Sequence, residues 1–141
     1  MRNKYLFLLL SFIFIFALAG CSDLTSAQPA AESAVVDFHN SYNAKQYKSI
    51  FDAAHDDFKK ATDFDSFSEF MEAVHSKLGN MVSSENQTWN AKSFNFTTTM
   101  VLQQKTAFEK GEGIETFTYR IEDKKAVLLG YNINSRDLIV N

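Results

Sequence analysis

Apolar residues recur at helical spacing up to residue 78 and at two-residue spacing after residue 86, and that one change of period constrains the fold most. Ala31, Val35, Phe38 and Tyr42 trace one helical stripe. Tyr47, Ile50, Phe51, Ala54 and Phe58 trace a second, and Phe67, Phe70, Met71, Val74 and Leu78 a third. Ser66 and Glu69 have capping-box spacing at the start of the third helix, and Gly79-Asn80 ends it beyond His75 and Lys77. Trp89 and Ala91 then alternate, and Phe94 and Phe96 continue on the opposite parity, which predicts a bulge near Lys92-Ser93. Met100 to Phe108 reads as a second strand and Gly111-Glu112-Gly113 as a turn. The third strand, Ile114 to Ile121, puts Phe117, Tyr119 and Ile121 on one face and Thr116, Thr118 and Arg120 on the other. Glu122 to Lys125 turns the chain into a fourth strand, on which Val127, Leu129, Tyr131 and Ile133 share a face. Three helices followed by about four hairpin-linked strands predict an α+β domain, with the helices packed on one side of a curved antiparallel sheet. A stretch of about 110 residues can bury roughly two-thirds of its unfolded surface, so it needs neither metal nor disulfide.

The first twenty residues stand outside this pattern. Arg2 and Lys4 precede an apolar run, Tyr5 to Leu18, broken only by Ser11. A basic start and an apolar run shorter than the roughly 20 residues of a spanning helix read as a secretory signal peptide. Leu18-Ala19-Gly20-Cys21 closes it, with the chain's single cysteine. This segment resembles the lipobox of bacterial lipoproteins; the other reading is an ordinary secretory signal followed by a chance cysteine. The resemblance implies cleavage after Gly20, acyl chains on Cys21, and a membrane partner held through those chains. It also implies a place in the bacterial envelope, and in a Gram-negative host Ser22 after the cysteine favours the outer membrane, facing the periplasm. Cleavage removes two of 14 basic side chains against 17 acidic ones. The acyl chains rather than charge would then do the anchoring. Residues 21–30 read as the lipidated cysteine and a flexible tether, with a reach of about 15–18 Å, and residues 31–141 as the domain.

The order of elements resembles the nuclear transport factor 2-like, or cystatin-like, cone. Thr106 to Gly111, Glu115 to Tyr119 and Leu129 to Ser135 are also similar to segments of a small bacterial family of unknown function, as is Leu78-Gly79 at the third helix end. The resemblance spans roughly residues 32 to 139 and implies the fold, not an activity, since this fold hosts isomerases, dehydratases, transport factors and assembly domains.

A cone of this kind has a mouth for a small ligand. Tyr42, Trp89, Phe117, Tyr119 and Tyr131 are candidate lining residues, with the alternative that they simply fill the core. His39, His55 and His75 lack partners at ligand spacing, so no metal is expected, and no cofactor either. Enzymes of the resembled fold place a carboxylate or a His–Asp pair inside the cone. On the inward parity of the last two strands Glu115 is the sole acid, and His39 lies at the margin of the first helical stripe. Gln103, Lys105, Thr116, Thr118, Arg120 and Asn132 form a polar outer sheet face, either plain solvent-exposed surface or, as the resemblance implies, a face through which two copies could pair as a homodimer. A net charge of −3, with Lys59-Lys60 and Lys124-Lys125 as isolated pairs beside acids, argues against nucleic acid. The expectation is therefore a non-enzymatic module binding a small apolar ligand or a protein partner. The alternative is an isomerase- or lyase-type enzyme acting on a small apolar substrate in the cone.

Overall fold

The helical half of the chain forms four helices, α1 (Ser22–Asn43), α2 (Tyr47–Ala53), α3 (Asp56–Ala61) and α4 (Phe64–Leu78). The strand half forms β1 (Met81–Phe94), β2 (Thr97–Phe108), β3 (Gly111–Glu122) and β4 (Lys125–Asn134), followed by a single turn, α5 (Asp137–Val140). This computed structural model describes residues 22–140, with side chains from Ser26 onward. The expected signal peptide and Cys21 lie outside the described residues. The strands form one antiparallel sheet in the order β1-β2-β3-β4, and the helices cover one of its faces. The α+β class is as the change of period predicts. Among the described residues no helix is long and apolar enough to cross a membrane.

The helices differ from expectation in three places, each for a local reason. The helix α1 begins at Ser22 and so runs through the segment read as a tether. Ala27 and Ala31, both fully buried, extend the stripe of Val35, Phe38 and Tyr42 backward at i, i+4 spacing, while Pro29 stays on the exposed side. The second predicted helix is broken into α2 and α3. At the break the His55 N–H donates to Leu128 O on β4 (2.8 Å), and the His55 Nδ1 caps α3 by accepting from Asp57 N (3.0 Å). Asp56 and Asp57 at the start of α3 and Lys59 and Lys60 at its end suit its dipole. The third difference is the cap of α4, which is Asp63 rather than the Ser66–Glu69 box; its carboxylate accepts from Ser66 N at 2.8 Å. The predicted stop holds, because Gly79 has φ +76° and a Cβ there would lie 2.5 Å from the Glu109 carboxylate.

In the sheet, the predicted bulge at Lys92-Ser93 is absent. Those residues pair regularly with Thr99 and Thr98, and the parity change at Phe94 and Phe96 arises because Asn95-Phe96 is the β1–β2 turn, with both φ positive. The β1 bulges lie earlier, between Met81 and Ser83 and between Asn86 and Thr88. The turn expected at Gly111–Gly113 falls at Glu109-Lys110, since Phe108 already pairs with Gly111. A further register shift, at Leu129 opposite Thr118 and Tyr119, reverses the parity of β4. Ala126 and Leu128 therefore face the core before it, and Tyr131 and Ile133 after it, in place of Val127 and Leu129.

Candidate functional site

The inward parity of β3 carries Glu115, Phe117 and Tyr119 in succession, so a carboxylate shares a face with two aromatic rings. Glu115 is 1% exposed, and three donors converge on it. The Tyr131 hydroxyl donates to Oε1 (2.6 Å), Thr106 Oγ1 donates to Oε2 (2.5 Å), and His39 Nε2 lies 2.7 Å from the same Oε2. Ser84 Oγ extends the network from β1, 3.2 Å from both Thr106 Oγ1 and Gln104 Oε1. Each partner arrives by a local rule. Thr106 and Gln104 are inward residues of β2, and Gln104 is the direct cross-strand neighbour of Glu115. Tyr131 faces inward because of the parity reversal at Leu129, one inward position from Ile133, which pairs with Glu115. His39 sits four residues after Val35 and is 2% exposed. The space between helices and sheet is thus not bare of ionisable groups. The signals were the i+4 step from Val35 to His39 and the strict alternation Glu115-Phe117-Tyr119.

Three of the five candidate lining residues, Phe117, Tyr119 and Tyr131, meet around this network. The rings of Phe38, Phe117 and Tyr131 pack within 5.2 Å centroid to centroid, and Phe117 stacks on Tyr119. Tyr42, one turn beyond Phe38 and His39 at the C-terminal end of α1, is buried and donates its hydroxyl to Gly79 O (2.9 Å), so it locks the α4 terminus. Trp89 does not join them. It lies on the edge strand β1 and is 50% exposed.

Two hollows open beside the network. One, of about 190 Å³, has apolar walls that include Phe38, Ile50 and Leu128 and a polar rim of Asp37, Ser41 and Ser49. Tyr119 lines it, is only 2% exposed, and its hydroxyl has no hydrogen-bond partner. Burial, with the charges of Glu115 and Asp37 adding to it, pushes the Tyr119 phenol well above its ordinary range, so the hydroxyl keeps its proton and remains a donor. Burial and the neighbouring Glu115 raise the Tyr131 phenol in the same direction. The second hollow, of about 330 Å³, lies between α1 and β1 and touches His39, Asn40, Ser84 and Gln104.

Among the described residues no three of His, Cys, Asp and Glu gather into a set able to hold a metal. His75 Nε2 is taken up by Asn80 (2.9 Å), and His55 lies beside Arg120, Asp57 and Glu122. That last cluster alters the expected outer face. The Arg120 guanidinium turns to the start of α3, with Nη1 2.8 Å from His55 Nε2 and Nη2 3.5 Å from Asp57. Gln103 accepts from Thr88 Oγ1 (3.3 Å) and Lys105 pairs with Glu112 (3.4 Å), so two more side chains of that polar face are paired within the chain. Comparison of the chain with protein-family models, curated proteins and solved structures found no match.

Proposed function

We propose that this chain is a bacterial envelope lipoprotein, anchored through acyl chains on Cys21, whose cone-like domain binds one small, largely apolar ligand. The observation that carries the binding reading is the Tyr119 hydroxyl, buried, protonated and unpartnered at the wall of an apolar hollow. A buried hydroxyl without a partner costs roughly 1–3 kcal/mol, and a ligand with one hydrogen-bond acceptor would recover that cost. The apolar walls fit the ligand's body and the serines and Asp37 at the rim fit a polar end. The anchoring reading rests on Leu18-Ala19-Gly20-Cys21, and the likeness to the nuclear transport factor 2-like cone on the order of elements.

Native mass spectrometry of the chain purified from cells, beside its Tyr119→Phe variant, tests this reading. Extra small-molecule mass on the wild-type chain that is lost from the variant supports it and identifies the ligand class. A bare dimer would move the function to the sheet face and a second copy. A bare monomer would remove the binding reading.

A second reading is the isomerase- or lyase-type enzyme, favoured by the imidazole–carboxylate pair His39–Glu115 beside the hollow between α1 and β1. Here His39 would be the base and Glu115 the group that orients it. Turnover of a bound small molecule that Glu115→Gln abolishes, while the variant still binds it, would favour the enzyme.

A further inference from the structure

The β1–β2 turn places an aromatic ring where the backbone favours glycine. Asn95 (φ 47°) and Phe96 (φ 60°) form the two-residue loop, and both lie in the left-handed region. Loops of this form prefer Asn-Gly, and a bulky residue at positive φ is an outlier. Phe96 is fully exposed and its neighbour Phe94 is 77% exposed, so neither ring is held by the core. A local backbone conflict with no compensating packing points to a use outside the domain.

The position of this tip identifies what it meets. Asn43, at the end of α1, exchanges two hydrogen bonds with the backbone of Met81 (2.8 and 3.0 Å), which fixes that end of the helix to the start of β1. The helix and β1 then run antiparallel, with Asn86 donating to Glu32 midway (3.1 Å). The start of α1 consequently returns to the β1–β2 tip, and Ser26 shares one hollow with Phe96, Thr98, Ile121, Asp123 and Lys124. The residue that would carry the acyl chains, Cys21, directly precedes the first residue of α1.

We infer that the β1–β2 tip is a second membrane contact: Phe94 and Phe96 enter the bilayer interface beside the acyl anchor and set the domain upright on the membrane. This rests on the anchoring reading above. Charge at this end is nearly balanced, Lys92, Lys124 and Lys125 against Glu122 and Asp123, so the contact is apolar and insensitive to salt.

The test uses the full acylated chain in vesicles of phosphatidylethanolamine and phosphatidylglycerol. An environment-sensitive fluorophore is attached at Phe96→Cys or, at the other end of β1, at the exposed Val82→Cys. With Cys21 acylated, each variant has one free thiol. Brominated lipids should quench the probe at position 96 several-fold more than at position 82, unchanged by salt, and adding Phe94→Ser should lower that quenching. Equal quenching at the two positions on an acylated chain overturns the inference, as does a shielded but unquenched probe that cross-links to a second copy. The intact mass reads the anchor separately: an unmodified Cys21 would overturn the anchoring reading itself, and the inference with it.

Discussion

Two tyrosines on neighbouring strands of one sheet meet opposite fates. The Tyr131 hydroxyl closes a network around Glu115 in which every described donor has its acceptor. The Tyr119 hydroxyl, buried as well, has none. Burial raises both phenols, so burial does not separate them. Completion does. A polar group satisfied inside the chain holds the fold together, whereas one left waiting at a cavity wall is a place for something else to bind.

Removing the centre of the completed network should cost most. Glu115→Ala strands His39, Thr106 and Tyr131 together and is expected to lower stability by about 3–5 kcal/mol, read by urea unfolding. Alkali should come next. Tyr42, Tyr119 and Tyr131 are held well above the ordinary phenol range by burial, and burial with Glu72 beside it pushes Tyr47 up to about 12. Each folded phenol keeps its proton where the unfolded one, near pH ~10, loses it. Their contribution is therefore intact below that pH and falls as pH rises above it. Tyrosinate absorbance should appear together with loss of the helical circular dichroism signal; ionisation well before unfolding would contradict this. Tyr131→Phe deletes one hydrogen bond to a carboxylate and should cost about 1.5–3 kcal/mol. Tyr119→Phe should change stability by less than about 0.5 kcal/mol or raise it, since no bond is lost. If thermal melts show Tyr119→Phe as damaging as Tyr131→Phe, the contrast between the two hydroxyls is gone.

The α+β order was legible because a change of apolar period is a property of the residues themselves. What escaped was set by single backbone events. The parity reversal at Leu129 is one unpaired residue, and nothing in Val127-Leu128-Leu129 marks which leucine it displaces. The break between α2 and α3 depends on a bond from His55 to the distant Leu128. Glu115 reads on the inward parity of its strand and His39 at the margin of its helical stripe. Only the meeting of helix and sheet shows that they neutralise one another's cost of burial. Trp89 shares the inward parity of its cross-strand partner Leu102, but it sits half-exposed on the edge strand, apart from the ring cluster.

The two borders of the sheet are protected differently. On β4 the N–H of His55 occupies a carbonyl that another strand would otherwise seek. The outer border, β1, is 14 residues long and mostly exposed, the kind of surface on which chains stack into fibrils. Its two bulges interrupt the regular repeat of backbone groups that such stacking requires. Irregularity that looks like imperfect pairing within one molecule thus acts, between molecules, as insurance of solubility.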